Sequence, residues 1–188
     1  EDQRFLSVSP QGLSREEFKY QNVYSSGYFR YVDGELRDFE EWDYGFDFYA
    51  PQSFTAPDGR TLLVGWMGIG DIPYTNPTAE LGWQHCLTVP RELSLNADGH
   101  ICQRPFRELD KLKKTPVSFG DGKAIKTALP FCLEAAPQSE SFRLTFGDML
   151  ELSYKDGIFS LRFTNDSAGC GRDVRQVQLG SFTGMELI

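Results

Sequence analysis

The sequence predicts an all-β protein built in two parts, on three observations. Apolar residues recur with a period of two, Asp-Gly turn dipeptides recur along the chain, and no long helical stripe interrupts them. Phe142, Leu144 and Phe146 share one face, as do Leu150, Leu152 and Tyr154, and again Phe159, Leu161 and Phe163. This is the alternation of antiparallel strands with one buried side. Asp-Gly stands at 33–34, 58–59, 98–99, 121–122 and 156–157, and it accommodates the positive φ that tight hairpin turns demand. With 40% hydrophobic and 14% aromatic residues in a length of 188, the chain can bury a core.

In chain order, further strands are predicted over residues 4–9, 23–32, 61–67, 83–89 and 131–136, each rich in aromatic or β-branched residues. The one helical candidate covers residues 107–114, where Leu109 and Leu112 lie on one side after Pro105. It is long enough for only two turns. Between 93 and 116, Asn96-Ala97-Asp98-Gly99, Arg104-Pro105 and the basic Lys111, Lys113 and Lys114 interrupt the strand pattern. The expected organisation is therefore a first part at 1–92, a linker with a short helix at 93–116, and a second part at 117–188. All three tryptophans and most tyrosines fall in the first part. Its long aromatic strands read as propeller blades, and the short alternating strands of the second read as a β-sandwich.

The net charge is −8 with a pI near 4.8, a field that repels phosphate backbones and anionic membranes, so neither nucleic acid nor membrane is expected as a partner. No apolar run reaches the ~18 residues of a spanning helix, and nothing resembles a charged start followed by an apolar secretory core. Cys86, Cys102, Cys132 and Cys170 lie 16, 30 and 38 residues apart with no C-x-x-C pair, so free thiols and a cytoplasmic location are expected. The chain opens Glu1-Asp2-Gln3-Arg4 without Met, which reads as a processed chain or one cut from something longer.

The densest chemical cluster runs from Glu40 through Trp42, Asp43, Tyr44, Asp47 and Tyr49 to Gln52. Carboxylates accept hydrogen bonds from sugar hydroxyls, and aromatic faces cover the C–H faces of sugar rings. The same composition also suits a sheet edge with solvated acids and packed aromatics. Asp43 and Asp47 do not make a glycosidase pair if extended, because four residues at ~3.4 Å put them roughly 14 Å apart. Retaining enzymes need ~5–5.5 Å and inverting ones ~6.5–9.5 Å, so only a strong bend at Gly45 would bring the two together. Glu40 and Glu41 are neighbours that alternate across a strand. His85 and His100 are the only histidines, no G-x-S-x-G elbow accompanies them, and His85-Cys86 would point to opposite strand faces. The glycines of Gly65-Trp66-Met67-Gly68-Ile69-Gly70 follow no βαβ pattern that would cradle a phosphate.

Three strings in order, Asp43-Tyr44-Gly45-Phe46-Asp47-Phe48-Tyr49-Ala50-Pro51-Gln52, Leu63-Val64-Gly65-Trp66-Met67 and Leu87-Thr88-Val89-Pro90-Arg91-Glu92-Leu93, resemble the later part of family 32 glycoside hydrolases. That family holds the invertases, sucrose-6-phosphate hydrolases and fructan hydrolases. Val8-Ser9-Pro10-Gln11-Gly12 and Tyr24-Ser25-Ser26-Gly27-Tyr28 fit the same order, so the likeness covers most of residues 5–112. Phe131–Glu134 and Gly171-Arg172-Asp173-Val174-Arg175 resemble the C-terminal sandwich more loosely.

The resemblance implies the last blades of a five-bladed β-propeller followed by a truncated β-sandwich, from an enzyme that hydrolyses β-fructofuranosidic bonds with retention and uses no cofactor or metal. In that family the nucleophilic Asp lies in Asn-Asp-Pro-Asn-Gly, a transition-state-stabilising Asp in Arg-Asp-Pro, and the acid/base Glu in Glu-Cys-Pro. None of these occurs here: Arg37-Asp38 is followed by Phe39, Arg172-Asp173 by Val174, and Asn76-Pro77 lacks the Asp. The chain is expected to be a C-terminal fragment with its catalytic acids upstream, inactive alone, and inclined to self-associate through sheet edges that have lost their neighbours. The resemblance assigns Tyr49 and Trp66 to the sugar pocket, Asp47 to a hydroxyl-accepting position beside them, and Ser25 and Tyr28 to an outer subsite. Competing readings are a carbohydrate-binding β module without catalysis and a fructosyl-transferring relative. The substrate stays open among sucrose, its 6-phosphate and fructans, because Arg15, Lys19, Arg30 and Arg37 are too scattered to define a phosphate pocket.

Overall fold

A computed structural model describes residues 3–72 and 74–188. The chain is all-β, as the alternation predicts. Its strands are β1 (Arg4–Val8), β2 (Gly27–Val32), β3 (Glu35–Glu41), β4 (Phe48–Thr55), β5 (Thr61–Met67), β6 (Cys86–Leu87), β7 (Arg91–Leu95), β8 (Ile101–Pro105), β9 (Leu133–Ala135), β10 (Phe142–Phe146), β11 (Leu150–Lys155), β12 (Ile158–Phe163), β13 (Val174–Gln178) and β14 (Met185–Leu187). Two 3-10 turns at Pro77–Leu81 and Arg107–Leu112 and one short helix, α1 (Asp166–Gly169), complete the described elements.

All pairing is antiparallel. The sheets run β1-β2-β3, β4-β5-β7-β8 with β6 also on β5, β10-β11-β12-β13, and β9 with β14. These are open sheets, and the described residues form no closed propeller ring. Four of the five Asp-Gly dipeptides close hairpins. At 33–34 and 156–157 both residues have positive φ and the flanking residues pair directly, the type I′ turn whose twist matches paired strands. At 58–59 and 98–99 only the glycine is left-handed and the loop is longer. Asp121-Gly122 lies in the strand-free connection before β9.

Local geometry trims several predicted elements. The strand expected at 23–32 begins only at Gly27, where a Cβ would sit 2.3 Å from the Glu40 carbonyl. The strand expected at 83–89 shrinks to Cys86–Leu87 because Gly82 and His85 are both left-handed just before it. The expected two-turn helix at 107–114 is a 3-10 turn ending at Leu112. Strand pairing continues past residue 92, since Asn96–Gly99 closes the β7–β8 hairpin instead of interrupting the strands.

Tyr28, Trp42, Phe48 and Leu63 form a core cluster, with Phe5, Leu93 and Ile101 packed against it, so the cluster joins the first two sheets. Burying a side chain of this size is worth about 1.5–3 kcal/mol. In the third sheet Leu152 is buried, and Phe142, Tyr154 and Phe159 gather around Phe182 with centroids 5.1–5.6 Å apart. The two parts also touch. The Gln21 side chain accepts from the Gln176 N–H at 3.0 Å and donates to the Gln176 carbonyl at 2.5 Å, occupying the free edge of β13 as a strand would. Phe46 packs on Phe163 at 4.9 Å, and the Arg175 guanidinium lies 4.3 Å from the Phe46 ring centre. Burial pulls the Arg175 pKa down to about 10, which leaves it charged at neutral pH. No helix among the described residues is long and apolar enough to cross a membrane.

Candidate functional site

Tyr49 on β4 and Trp66 on β5 face each other in register, with ring centroids 6.4 Å apart. Tyr24 flanks Tyr49 at 5.4 Å, and His85 meets Trp66 edge-on at 5.0 Å. The result is a row of four half-buried rings, Tyr24, Tyr49, Trp66 and His85. At one end the Tyr24 hydroxyl donates to the Asp71 carboxylate, and that bond holds the phenol pKa above its ordinary value. At the other end His85 Nε2 is buried with no hydrogen-bond partner among the described residues.

Two glycines shape the row. Gly65 lets the Phe48 ring lie across β5, where a Cβ would approach it to 2.2 Å. Phe48 can therefore point into the core, 4% exposed, while its neighbour Tyr49 faces outward. Gly68 lets His85 reach Trp66, since a Cβ there would lie 2.6 Å from the imidazole and 2.7 Å from the indole.

The other predicted site residues are placed differently. Asp47 is 7% exposed, and its carboxylate accepts from Arg172 Nη1 at 2.8 Å and from the Tyr74 hydroxyl. The position expected to receive a sugar hydroxyl is thus occupied by the protein's own donors. Burial and the contact with Asp47 push the Tyr74 phenol pKa up. Tyr28 is 2% exposed in the core, donating to Glu40 at 2.5 Å and accepting from the Ile101 N–H at 3.3 Å. Ser25 is 4% exposed. Neither lines an outer surface: Ser25 is buried just before β2, and Tyr28 packs against Trp42 in the core.

The acidic cluster is engaged throughout. Glu40 takes Tyr28 and His100, the latter at 2.5 Å. Glu41 accepts the Tyr20 N–H at 3.0 Å, and burial raises its pKa. Asp43 accepts Arg91 at 2.6 Å and the Gly45 N–H at 2.7 Å. Residues 42–47 are bent and not extended, so the distance argument for Asp43 and Asp47 loses its premise. Their binding to two different arginines is what makes them a poor catalytic pair. Cys132, Glu134 and Glu186 converge on the surface, but Lys113 Nζ already neutralises the two glutamates at 2.7 and 2.9 Å.

Tyr24, Asp71 and His85 were not singled out as site residues by sequence reasoning. Tyr24 stands one residue before the predicted Ser25, and a pattern-based reading has no means of choosing between the two. Asp71 and His85 lie in loops where both take positive φ, so neither follows a strand period.

Comparison with known proteins places the chain in context. The family model described as the glycosyl hydrolases family 32 N-terminal domain matches residues 1–105. Sucrose-6-phosphate hydrolase of Staphylococcus xylosus is 39% identical over 164 residues, covering 84% of this chain and 31% of that protein. The Bacillus subtilis enzyme of the same name is 44% identical over 116 residues, covering 58% and 24%. Raffinose invertase of Escherichia coli is 41% identical over 116 residues, also covering 58% and 24%. Among solved structures, sucrose-6-phosphate hydrolase from Lactobacillus gasseri superposes with a TM-score of 0.70 at 25% identity, covering 97% of this chain and 42% of that one. A mutant β-fructofuranosidase of Bombyx mori in complex with sucrose gives 0.56 at 22% identity, covering 97% and 48%, a likeness of fold. The chain thus spans less than a third of the length of these curated relatives.

Proposed function

The chain belongs to the family 32 glycoside hydrolases, and on that premise we propose that it forms part of a retaining β-fructofuranosidase acting on sucrose, sucrose 6-phosphate or a fructan. The observation that carries this reading is the row of Tyr49 and Trp66, extended by Tyr24 and His85. An indole face offers the C–H face of a sugar an apolar wall, while a phenol beside it donates or accepts a hydrogen bond. Sucrose-6-phosphate hydrolase is the name carried by three of the similar proteins above. The sheets built from β1–β3 and β4–β8 are read as the last blades of a five-bladed propeller, and the sheets of β9–β14 as part of a sandwich.

The nucleophilic Asp and the acid/base Glu are assigned to residues outside these 188. This chain has none of the three acidic motifs, and every carboxylate of its acidic cluster is committed to internal partners. The Asp attacks the anomeric carbon as the Glu protonates the departing oxygen, and water then releases the fructosyl group with the Glu as base. Tyr49 and Trp66 hold the ring in place, and the chain alone is inactive.

Sugar release from sucrose, sucrose 6-phosphate and inulin tests this, run on the 188-residue chain and on the complete product of its gene. Activity confined to the complete protein supports the reading. Activity in the 188 residues overturns the placement of the catalytic acids. No activity in either, with retained sugar binding, would favour a carbohydrate-binding β module.

A further inference from the structure

β4 begins in an unusual way. Asp47 has φ +58° and Ala50 φ +45°, so Tyr49 lies between two left-handed non-glycine residues, a conformation that L side chains rarely adopt. The pairing of β4 with β5 shifts register between Tyr49 and Gln52, and such a bulge re-aims the side chain beside it. Tyr49 faces Trp66 in the short stretch of regular pairing between left-handed Asp47 and the bulge, and something must hold that entry in place.

The restraint on Asp47 comes from the far end of the chain. Arg172, 125 residues away, donates from Nη1 to the Asp47 carboxylate at 2.8 Å, with side-chain exposures of 14% and 9%. Arg172 is itself fixed. Its Nε donates to the Gly169 carbonyl at 2.9 Å, its Nη2 to Asn76 Oδ1 at 3.3 Å, and its guanidinium lies 4.7 Å from the Tyr74 ring centre and 5.0 Å from that of Phe163. Tyr74 adds a second donor to the same carboxylate. The Asp47 side chain is therefore held by one N–H of a guanidinium that is anchored in the loop between α1 and β13.

We propose that Arg172 is a positioning residue for the sugar pocket: by clamping Asp47 in its left-handed conformation it fixes the entry into β4, where Phe48 and Tyr49 pair with Met67 and Trp66 ahead of the bulge, so the C-terminal part takes part in building a pocket it does not touch. The effect on catalysis rests on the fructofuranosidase reading above. Arg172 contacts no substrate in this scheme, and its influence passes through Asp47 and the backbone of β4.

A clamp on the backbone differs from simple glue between the two parts in how residue 47 responds to substitution. Asn tolerates the left-handed region and keeps an acceptor for Arg172, Gly adopts that region freely without any acceptor, and Ala does neither. In the complete protein, R172A and D47A are each expected to lower kcat on sucrose by about 100-fold, the cost of misplacing a group by ~1 Å, with a smaller change in KM. D47N and R172K recover most of that loss. D47G recovers activity relative to D47A although it also lacks the carboxylate, and adding R172A to D47G costs little more. Hydrogen exchange over residues 46–52 is measured in the same proteins, and it accelerates in R172A and D47A.

If D47G is as impaired as D47A while both fold, or if R172A leaves kcat and exchange at wild-type values, the proposal is overturned. Should R172A fail to fold, the D47A, D47G and D47N series decides the same question. If the wild-type complete protein releases no sugar, the fructofuranosidase reading has failed, and the exchange measurements alone then decide whether Arg172 clamps β4.

Discussion

Gly68→Ala is the sharpest probe of the aromatic row. The added methyl would start 2.6 Å from His85 Cγ, 2.7 Å from His85 Nδ1 and 2.7 Å from Trp66 Cε2, whereas carbon atoms in contact sit at ~3.5–4.0 Å. The two rings must therefore give way by roughly 1 Å between them. Overpacking of this kind costs ~1–3 kcal/mol of stability, and a 1 Å misplacement in a binding site costs up to ~100-fold in rate. In the complete protein, G68A should lower kcat/KM on sucrose by ~10–100-fold while thermal unfolding shows only the modest loss. A second substitution isolates the cause. His85 Nε2 has no hydrogen-bond partner among the described residues, so His85→Ala forfeits no bond to them and vacates the space the methyl needs. The double variant should be more active than G68A alone, though not fully restored, because the contact with Trp66 remains. Wild-type kinetics for G68A, or no recovery in the double variant, would refute the packing argument.

Three further outcomes are expected. Tyr28→Phe, deep in the core, strips a donor from Glu40 and an acceptor from the Ile101 N–H, so denaturant unfolding should show a loss of ~1–3 kcal/mol with sugar preference unchanged. Burial raises the Glu41 pKa in the folded state, so the fold binds more protons than the unfolded chain between the ordinary value and the raised one. Stability tied to Glu41 is then fully present below pH ~4.5 and falls as pH rises through that window; the difference in stability between wild type and Glu41→Gln, measured across pH 4–7, should carry this slope. Finally, the isolated 188-residue chain should self-associate in sedimentation at micromolar concentration, because its sheets are open and Leu6, on strand β1, is 44% exposed. A sharp monomer would oppose that expectation.

Legibility in the sequence follows the range of the interactions involved. β10, β11 and β12 alternate so regularly that their faces are readable residue by residue, and the type I′ turns at 33–34 and 156–157 were marked by chemistry local to two residues. The pairing of Tyr49 with Trp66 lies on two strands joined by one hairpin, and the resemblance pointed to both. The resemblance assigns Ser25 and Tyr28 to an outer subsite, and nothing in their neighbourhood in the sequence reveals that both are buried, Tyr28 against Trp42. The same blindness applied at 93–105, where a turn that closes a hairpin looks like a turn that ends a domain.

The sequence by itself determined the all-β class, the turns at 33–34 and 156–157 and the alternating strands β10 to β12, since period-two burial and turn stereochemistry depend only on residues a few positions apart. Only the tertiary structure decided which of the acids and aromatics are available for chemistry. Asp47 reads as a sugar ligand until Arg172, 125 residues on, is seen to fill its carboxylate, and Glu40 reads as a solvated edge charge until His100 and Tyr28 close on it. A hydrogen-bonding group is used up by whatever partner folding brings near, and partners separated by more than a hairpin leave no trace in local spacing.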